Sequence, residues 1–471
     1  MSHKTDNLSE VRSYSAIIPT VFLSFILISF FAAYLRTGFY ADDFMQMGTF
    51  YHNAIPYGHT SITLGRYWAN VFWGISTTAF GTTSDAPYLI FSTLIFFAGL
   101  YFIYLSIKPI LELQYYLWAL VILFASGCTL PLMLWASNNV HSMAILTISV
   151  GIFGFSKQFL YQRGVEIFSK YSIIESLTYS LMLFANPLYS PFLLIGIISC
   201  FLKLRQIRVK KRNFVSRIWM TYFLLMQIIL PFTVLLTISI PQTLKNSAYK
   251  QSRLVYIWKN IQFYSDQIAP RHIVMFIYAL IFFLGVLAFI TAIVKRHWMA
   301  MLFFYLGFSI LIPILMQQNQ HFLNYLVMPI FTIVIGILLE FSFLRSSRES
   351  ILNNYFTSIS FIFVFIILFA GSTSVREWYI DYNAGYAIYK LRIEMSSLVP
   401  PNSNLCLEEN LSTAQKSWLE GGLDYQWGLL HSPVNASSVV FASRSGCKPA
   451  SGTSIIEVVS DTRGGFNAKL K

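Results

Sequence analysis

The 471-residue chain is 56% hydrophobic and 17% aromatic, and only 11% of its residues are charged, less than half the share in an average soluble domain. With a mean hydropathy of +0.59, this composition excludes a soluble globular domain and predicts an integral membrane protein. The net charge of +13 does not indicate a nucleic-acid partner, because the basic residues fall in loops between apolar runs, where they set topology and meet lipid or phosphate groups.

About eleven apolar runs of roughly membrane length predict an all-α polytopic membrane fold. The first run follows Lys4 and Arg12 and is long for a signal peptide, so it predicts an uncleaved anchor. The predicted spans are residues 15–35, 86–106, 116–135, 140–156, 172–186, 188–202, 218–240, 273–294, 299–316, 324–343 and 355–371.

Basic residues predict the orientation of these spans, because short loops rich in lysine and arginine stay in the cytoplasm. They are concentrated in the connections 157–170, 203–217, 295–296 and 345–348, which we therefore expect inside together with the N-terminus. The segments then expected outside are the loops 36–85, 241–272 and 317–323 and the C-terminal region 372–471.

The pair of spans 172–202 is unusual, because each leg has only about 15 residues and the tip contains Pro187 and Pro191. Prolines break helices, and broken helices within a membrane line protein cavities rather than lipid. The pattern indicates either a re-entrant hairpin or a plain tight hairpin, and both interpretations stay open.

The chain divides into a transmembrane domain, residues 1–371, and a C-terminal domain, residues 372–471. The second has a helical pattern at Tyr382 to Leu398 and then short alternating segments, which predict a small α+β extracytoplasmic domain. Cys406 and Cys447 both lie in it, and outside the cytoplasm they are candidates for a disulfide. Cys128 and Cys200 lie in apolar runs and are expected to be inert core residues.

The first outer loop contains adjacent aspartates, Asp42 and Asp43, shortly after the first span. Acids at a membrane cavity are functional candidates, either as a general base or as ligands of a divalent cation such as Mg²⁺ or Mn²⁺. Arg66, later in the same loop, is a candidate partner of these aspartates and a candidate phosphate ligand. The alternative is that the aspartates only solvate a helix end.

The second outer loop carries five basic residues against one acid, which opposes the usual distribution of charge outside the membrane. It is also rich in tyrosine and tryptophan, and this combination suits the phosphate head group of a lipid. The candidate phosphate ligands are Lys245, Lys250 and Arg253. Non-specific contact with anionic lipid is the alternative.

The third outer loop contains Gln317, Asn319 and His321, whose amide and imidazole groups suit hydrogen bonds to a sugar or another polyhydroxy ligand. An ordinary polar turn is the alternative. The same two interpretations apply to Asn138, Asn139 and His141 before the span 140–156.

Together these segments would supply the parts of a sugar transfer from a lipid phosphate. A carboxylate would take the proton of an acceptor hydroxyl that attacks the anomeric carbon, and positive charge would stabilise the departing phosphate. The sequence contains no GxGxxG, no GxxxxGK[ST] and no Ser-His-Asp signature, so chemistry driven by a bound nucleotide is not expected.

The chain resembles the GT-C glycosyltransferases, especially the serotype-converting O-antigen glucosyltransferases. The resemblance rests on Tyr40-Ala-Asp42-Asp43 after the first span, on Gly65-Arg66 in the same loop, and on the overall plan of spans. The resemblance implies inverting transfer of glucose from undecaprenyl-phosphate glucose to lipid-linked O-antigen at the periplasmic face of a bacterial inner membrane, which modifies lipopolysaccharide. It also implies that Asp42 or Asp43 is the base, and that a donor-synthesising glycosyltransferase and a donor flippase act beforehand. Phe44 to Met47 stand where the family usually shows an arginine, so the exact sugar stays open.

Two other functions fit a chain of this composition. An O-antigen polymerase would depend on outer-loop arginines such as Arg253 and Arg271 rather than on the aspartates. A lipid-linked sugar transporter or flippase would favour internal repeats and charges within spans, and the sequence shows neither pattern.

Overall fold

The structure is a computed structural model in which helices dominate the membrane region and strands occur only after residue 400 among the described residues. The residues that it describes are 17, 19–24, 27, 79, 86–126, 128–129, 139–159, 170–185, 187–209, 214–234, 236, 256–260, 271–316, 323–345, 404–409, 439–443, 453–460 and 466–470.

Every predicted span between residues 86 and 343 coincides with at least one described helix. The runs 15–35 and 355–371 lie largely or wholly outside the described residues, so the total of about eleven spans stays a prediction. The helices are α1 (Ala86–Ile107), α2 (Leu113–Ala125), α3 (Asn139–Phe159), α4 (Lys170–Ala185), α5 (Leu193–Val209), α6 (Phe214–Leu224), α7 (Leu230–Val234), α8 (Arg271–Lys295), α9 (Trp298–Met316) and α10 (Val327–Arg345).

Three helical segments are long and apolar enough to cross a membrane: Pro87–Ile107, Tyr278–Lys295 and Trp298–Met316. Half of the first and third segments is buried within the protein, but only 17% of the second. The part of α8 from Tyr278 to Lys295 therefore leaves most of its side chains at least partly exposed, as a helix bordered by lipid does. The chain is a membrane protein.

Helices α1 and α3 lie side by side and run in the same direction. Ser92 and Ser142 share a hydrogen bond of 2.8 Å near their amino ends, and the rings of Phe102 and Phe153 contact each other further along. A Cβ atom on Gly99 would lie 3.1 Å from the backbone of Leu146. The glycine is what permits this close approach, as in other membrane helix pairs.

Helices α8, α9 and α10 form an up-and-down group joined at one end by a tight turn. Arg296 has a φ of 59°, and the amide of His297 donates to the carbonyl of Ala292 over 2.9 Å. This is the Schellman ending, in which a residue in the left-handed region stops the helix. The side chain of His297 at the start of α9 then meets Glu340 near the end of α10, so these two helices are antiparallel.

Contacts between the two groups of helices fix their common direction. Tyr325, just before α10, packs on His141 at the start of α3, while Ser342 near the end of α10 donates to the carbonyl of Ile110 beyond the end of α1. Helices α1, α3, α8 and α10 are thus parallel. We call the end where they begin the loop end, because the predicted outer loops join it, and the other the basic end.

The predicted hairpin 172–202 consists of α4, a 3₁₀ helix Pro187–Phe192 and α5. Its legs have 16 and 17 residues, so they rise roughly 24 and 26 Å, short of the roughly 30 Å hydrocarbon core. The carbonyl of Pro191 in the 3₁₀ helix accepts a hydrogen bond from Tyr305 of α9. This satisfies a polar group at the tip, as irregular backbone in a membrane requires, and either interpretation of the hairpin stays open.

Helix α5 continues to Val209, whereas the sequence predicted a loop from Lys203 onward. That boundary is wrong, because Lys203 is buried inside the helix bundle with a carboxylate partner. After α6, a π-helical segment, Leu225–Ile229, precedes α7. Pro231 has no N–H to donate to the carbonyl of Gln227 four residues earlier, which accounts for the interrupted α-helical pattern.

The strands of the described residues are β1 (Asn404–Glu409), β2 (Val439–Ser443), β3 (Thr453–Ser460) and β4 (Phe466–Leu470). They form a mixed sheet in the order β2-β1-β3-β4. Strands β1 and β2 are parallel, as are β1 and β3, while β3 and β4 are antiparallel. Strands β2 and β3 overlap the alternating segments of the sequence at residues 437–442 and 454–459, but the α+β domain as a whole stays a prediction.

Candidate functional site

Most residues predicted to form the site lie outside the described residues, so their roles stay predictions. Cys406 lies in β1, in register with Val440 of β2 and Ile455 of β3. The predicted disulfide partner Cys447 is among the residues outside. The others outside are Asp42, Asp43, Arg66, Lys245, Lys250, Arg253, Gln317, Asn319 and His321.

A layer of buried polar side chains lies at the loop end, in helices that begin or end near the predicted outer loops. Ser92 and Ser142 share their hydrogen bond with both side chains fully buried. Next to Ser142, the imidazole of His141 packs edge-on against the ring of Tyr325, with 4.7 Å between ring centroids. Tyr325 follows the predicted sugar-binding loop 317–323. The contact therefore joins the segment directly after that loop to the polar start of α3, and the sequence indicated no link between the two.

The adjoining part of the layer lies between α8 and α2. The hydroxyl of Tyr278 donates to the carbonyl of Ser126 over 2.8 Å, and the Ser126 hydroxyl lies 3.0 Å from the sulfur of Cys128. Cys128 is fully buried, as predicted for a core cysteine. A buried polar group that loses its hydrogen bond destabilises the fold, so these contacts favour a single packing arrangement of the neighbouring helices.

A short helix, residues 256–260, is the described part of the predicted phosphate-binding loop. Asn260 is buried, and its side-chain amide donates to the carbonyl of Leu315 near the end of α9 over 2.8 Å. This carbonyl belongs to the last turn of α9, where the helix itself supplies no donor. The bond thus anchors the second outer loop two residues before the third outer loop begins.

The same short helix presents a cation and two aromatic side chains. Lys259 is exposed, and its ammonium group lies 5.9 Å from the ring centroid of Tyr256. Trp258 is 59% exposed. Tryptophan and tyrosine at this position suit the membrane–water interface. An ammonium group there can contact a phosphate.

The strongest charge cluster lies near the basic end, between α3, α4 and α5. Glu175 and Lys203 form an ion pair of 2.8 Å in which both side chains are at most 1% exposed. The same carboxylate accepts hydrogen bonds from the amide of Gln158 and the hydroxyl of Tyr179. From the sequence, Glu175 and Glu340 lie near predicted span ends, where snorkelling or pairing with a nearby lysine or arginine accounts for them, but full burial of the Glu175 pair is not predicted. Paired and hydrogen-bonded in this way, both charges tolerate the apolar surroundings.

Gln227 in the π-helical segment is fully buried, and neither side-chain polar atom has a hydrogen-bond partner among the described residues. Its backbone carbonyl faces Gly196 of α5. Near the basic end, His297 and Glu340 form a second pair over 2.8 Å, so the partner is a histidine, which neither snorkelling nor pairing with lysine or arginine would have supplied. Within the described part of the chain no group of three His, Cys, Asp or Glu residues is placed to hold a metal ion.

Comparison with known proteins gives no family assignment. No family model matches the chain, and no curated protein matches it. Among solved structures it is similar to two crystal structures of ArnT from Cupriavidus metallidurans, one bound to undecaprenyl phosphate and one in the apo state. Each is 9% identical, with a TM-score of 0.45, over 94% of this chain and 93% of that chain. A likeness at this level supports no argument about function.

Proposed function

We propose that the chain is a membrane glycosyltransferase that moves a hexose, glucose by preference, from a polyprenyl-phosphate donor to lipid-linked O-antigen at the periplasmic face of the inner membrane. One observation supports the proposal: described residues in or next to the segments predicted to bind donor and acceptor make specific contacts at the loop end. Asn260, in the second outer loop, donates to the carbonyl of Leu315, two residues before the third outer loop. Tyr325, two residues after that loop, packs on His141.

The anchored helix 256–260 supports donor binding. Lys259 and Trp258 are exposed at the end of the bundle where a lipid phosphate would meet the interface, with the polyprenyl chain in the bilayer. Lys245, Lys250, Arg253 and Arg66 supply further positive charge in the adjoining outer loops. Such charge stabilises the phosphate as it leaves.

Asp42 or Asp43 acts as the base in this proposal. The acceptor hydroxyl oxygen attacks the anomeric carbon and forms the new glycosidic bond, while the bond from that carbon to the phosphate oxygen breaks. The hydroxyl proton passes to the carboxylate, and polyprenyl phosphate leaves. Attack opposite the leaving group inverts the anomeric centre. Two adjacent carboxylates repel each other, which favours proton uptake by one of them.

The test is transfer of labelled glucose in membranes supplied with polyprenyl-phosphate glucose and lipid-linked O-antigen. We compare the wild type with Asp42→Asn, Asp43→Asn and a control, Glu112→Gln, which removes an exposed carboxylate at the basic end. A general base contributes about 100-fold or more to the rate, so one aspartate variant should fall by that factor while Glu112→Gln stays active.

Each competing function predicts a different result in the same assay. Lengthening of O-antigen without label would indicate a polymerase, and the variants Arg253→Gln and Arg271→Gln would then be inactive. Movement of labelled donor across the membrane without transfer would indicate a transporter. If both aspartate variants transfer glucose normally, neither Asp42 nor Asp43 is the catalytic base.

A further inference from the structure

The connection between α5 and α6 carries more positive charge than its position requires. Six basic residues lie between Arg205 and Arg217, and no acidic residue occurs between Glu175 and Asp266. The turn between α8 and α9, at the same end of the bundle, carries only Lys295 and Arg296. Two basic residues are enough there for topology, so the additional charge at the α5–α6 connection calls for an anionic partner.

Helix α5 presents an amphiphilic stripe that ends in one of these arginines. Leu194, Ile198 and Phe201 are spaced along one helix face, and they are 41%, 42% and 66% exposed. Arg205 continues the same face one turn beyond Phe201 and is also exposed. Lys203, by contrast, is occupied by Glu175 and does not contribute to this surface.

Helix α6 and the π-helical segment repeat the arrangement in the opposite direction. Arg217 is exposed, and Ile218, Leu225 and Ile229 extend away from it with exposures of 55%, 47% and 52%. Trp219 follows Arg217 by two residues and stacks edge-on against Tyr222, and amphipathic aromatic residues of this kind sit at the level of lipid head groups. Two apolar stripes thus end in exposed arginines on either side of a connection only four residues long, 210–213.

We infer that this surface binds an anionic phospholipid, with acyl chains along the two stripes and phosphate on Arg205 and Arg217. Charge complementarity selects the head group, because the described charged residues of the two stripes, Arg205 and Arg217, are both positive and arginine binds phosphate with two parallel hydrogen bonds. The exposed apolar stripes select a lipid over a soluble polyanion. The inference does not depend on the proposed transferase activity.

The test is lipid retention by the purified full-length protein in mixed micelles that contain phosphatidylcholine together with phosphatidylglycerol or cardiolipin. Mass spectrometry of the intact complex measures the bound lipid. One basic residue near a membrane surface changes anionic-lipid affinity roughly fivefold. The variant Arg205→Gln/Arg217→Gln should therefore bind either anionic lipid about 30-fold more weakly than the wild type.

The matched control is Lys295→Gln/Arg296→Gln, which removes two exposed charges at the same end of the bundle and should retain the lipid. The variant Arg205→Lys/Arg217→Lys keeps both charges but not the paired hydrogen bonds; it should bind anionic lipid more tightly than the glutamine variant, which would show that the loss in the latter is not caused by misfolding. Three results would each overturn the inference. The two glutamine variants could lose anionic lipid equally, the wild type could retain phosphatidylcholine as well as anionic lipid, or it could bind a soluble polyanion in preference to lipid.

Discussion

Replacing Lys203 with methionine tests the buried ion pair that joins α5 to α4. The ammonium group lies 2.8 Å from the Glu175 carboxylate, and both side chains are at most 1% exposed. Methionine keeps an apolar stem but has no charge, so the carboxylate would retain only the neutral donors Gln158 and Tyr179. Removing one partner of a buried pair costs about 3–5 kcal/mol.

The double variant Glu175→Gln/Lys203→Met separates the effect of the pair from that of a lone charge. Replacing both ions by neutral groups of similar volume is often close to neutral, so the double variant should be at least about 2 kcal/mol more stable than Lys203→Met. The measurement is unfolding of the purified protein by SDS in mixed micelles, followed by tryptophan fluorescence.

Lys295→Met is the control, because Lys295 is exposed at the same end of the bundle and its replacement should change stability by about 0.5 kcal/mol or less. If Lys203→Met unfolds at the same SDS fraction as this control, the buried pair contributes nothing. Glu175→Gln is also measured alone. If its loss of stability and that of Lys203→Met simply add in the double variant, the two charges are not coupled, and the reasoning is refuted.

Three further predictions concern packing and backbone. In Gly307→Ala the new Cβ would clash with Cγ1 of Ile333, whose branched side chain has little rotamer freedom in a helix. We expect a loss of about 1–3 kcal/mol in the same unfolding assay, and an unchanged unfolding midpoint would contradict this. Arg296→Gly should raise stability by up to about 1 kcal/mol, because glycine adopts the positive φ of this turn without strain; no change would show that the turn is unstrained. Asn260→Leu removes the bond to Leu315, and hydrogen exchange at residues 256–260 should become about tenfold faster, with unchanged exchange counting against the anchor.

Local pattern predicted the helices well, because apolar content and length are written directly in the sequence. The segments that became α1, α8 and α9 are apolar runs long enough to span a bilayer, and the structure places helices there. Hydropathy gave the wrong helix end at Lys203, because in the sequence this residue is the first charge after an apolar run and therefore indicates the start of a cytoplasmic loop. Its partner Glu175 lies 28 residues earlier, and no local rule links a lysine on one helix to a glutamate on another.

The candidate site was predicted only as separate segments. The sequence singled out the basic aromatic loop, the amide-rich loop and the polar start of α3, but not that residues in or next to them come into contact. Their meeting depends on the amide of Asn260 reaching Leu315 and on the ring of Tyr325 reaching His141. Such contacts depend on how the helices pack together in three dimensions, and the spacing of apolar residues along the sequence does not specify that packing. The π-helical segment is an intermediate case, since Pro231 signals an interruption but not its form.

The small buried fraction of α8 has a consequence for the membrane in which the protein resides. The helix has 25 residues, and its apolar stretch, residues 273–294, rises roughly 33 Å, about 3 Å more than a typical hydrocarbon core. Arg271 and Lys295 at its two ends prefer the polar interfaces. A helix with this hydrophobic mismatch tilts, or the bilayer around it thickens. Because few of its side chains are packed inside the protein, α8 can change its tilt as bilayer thickness changes, while α9 and α10 keep their mutual packing.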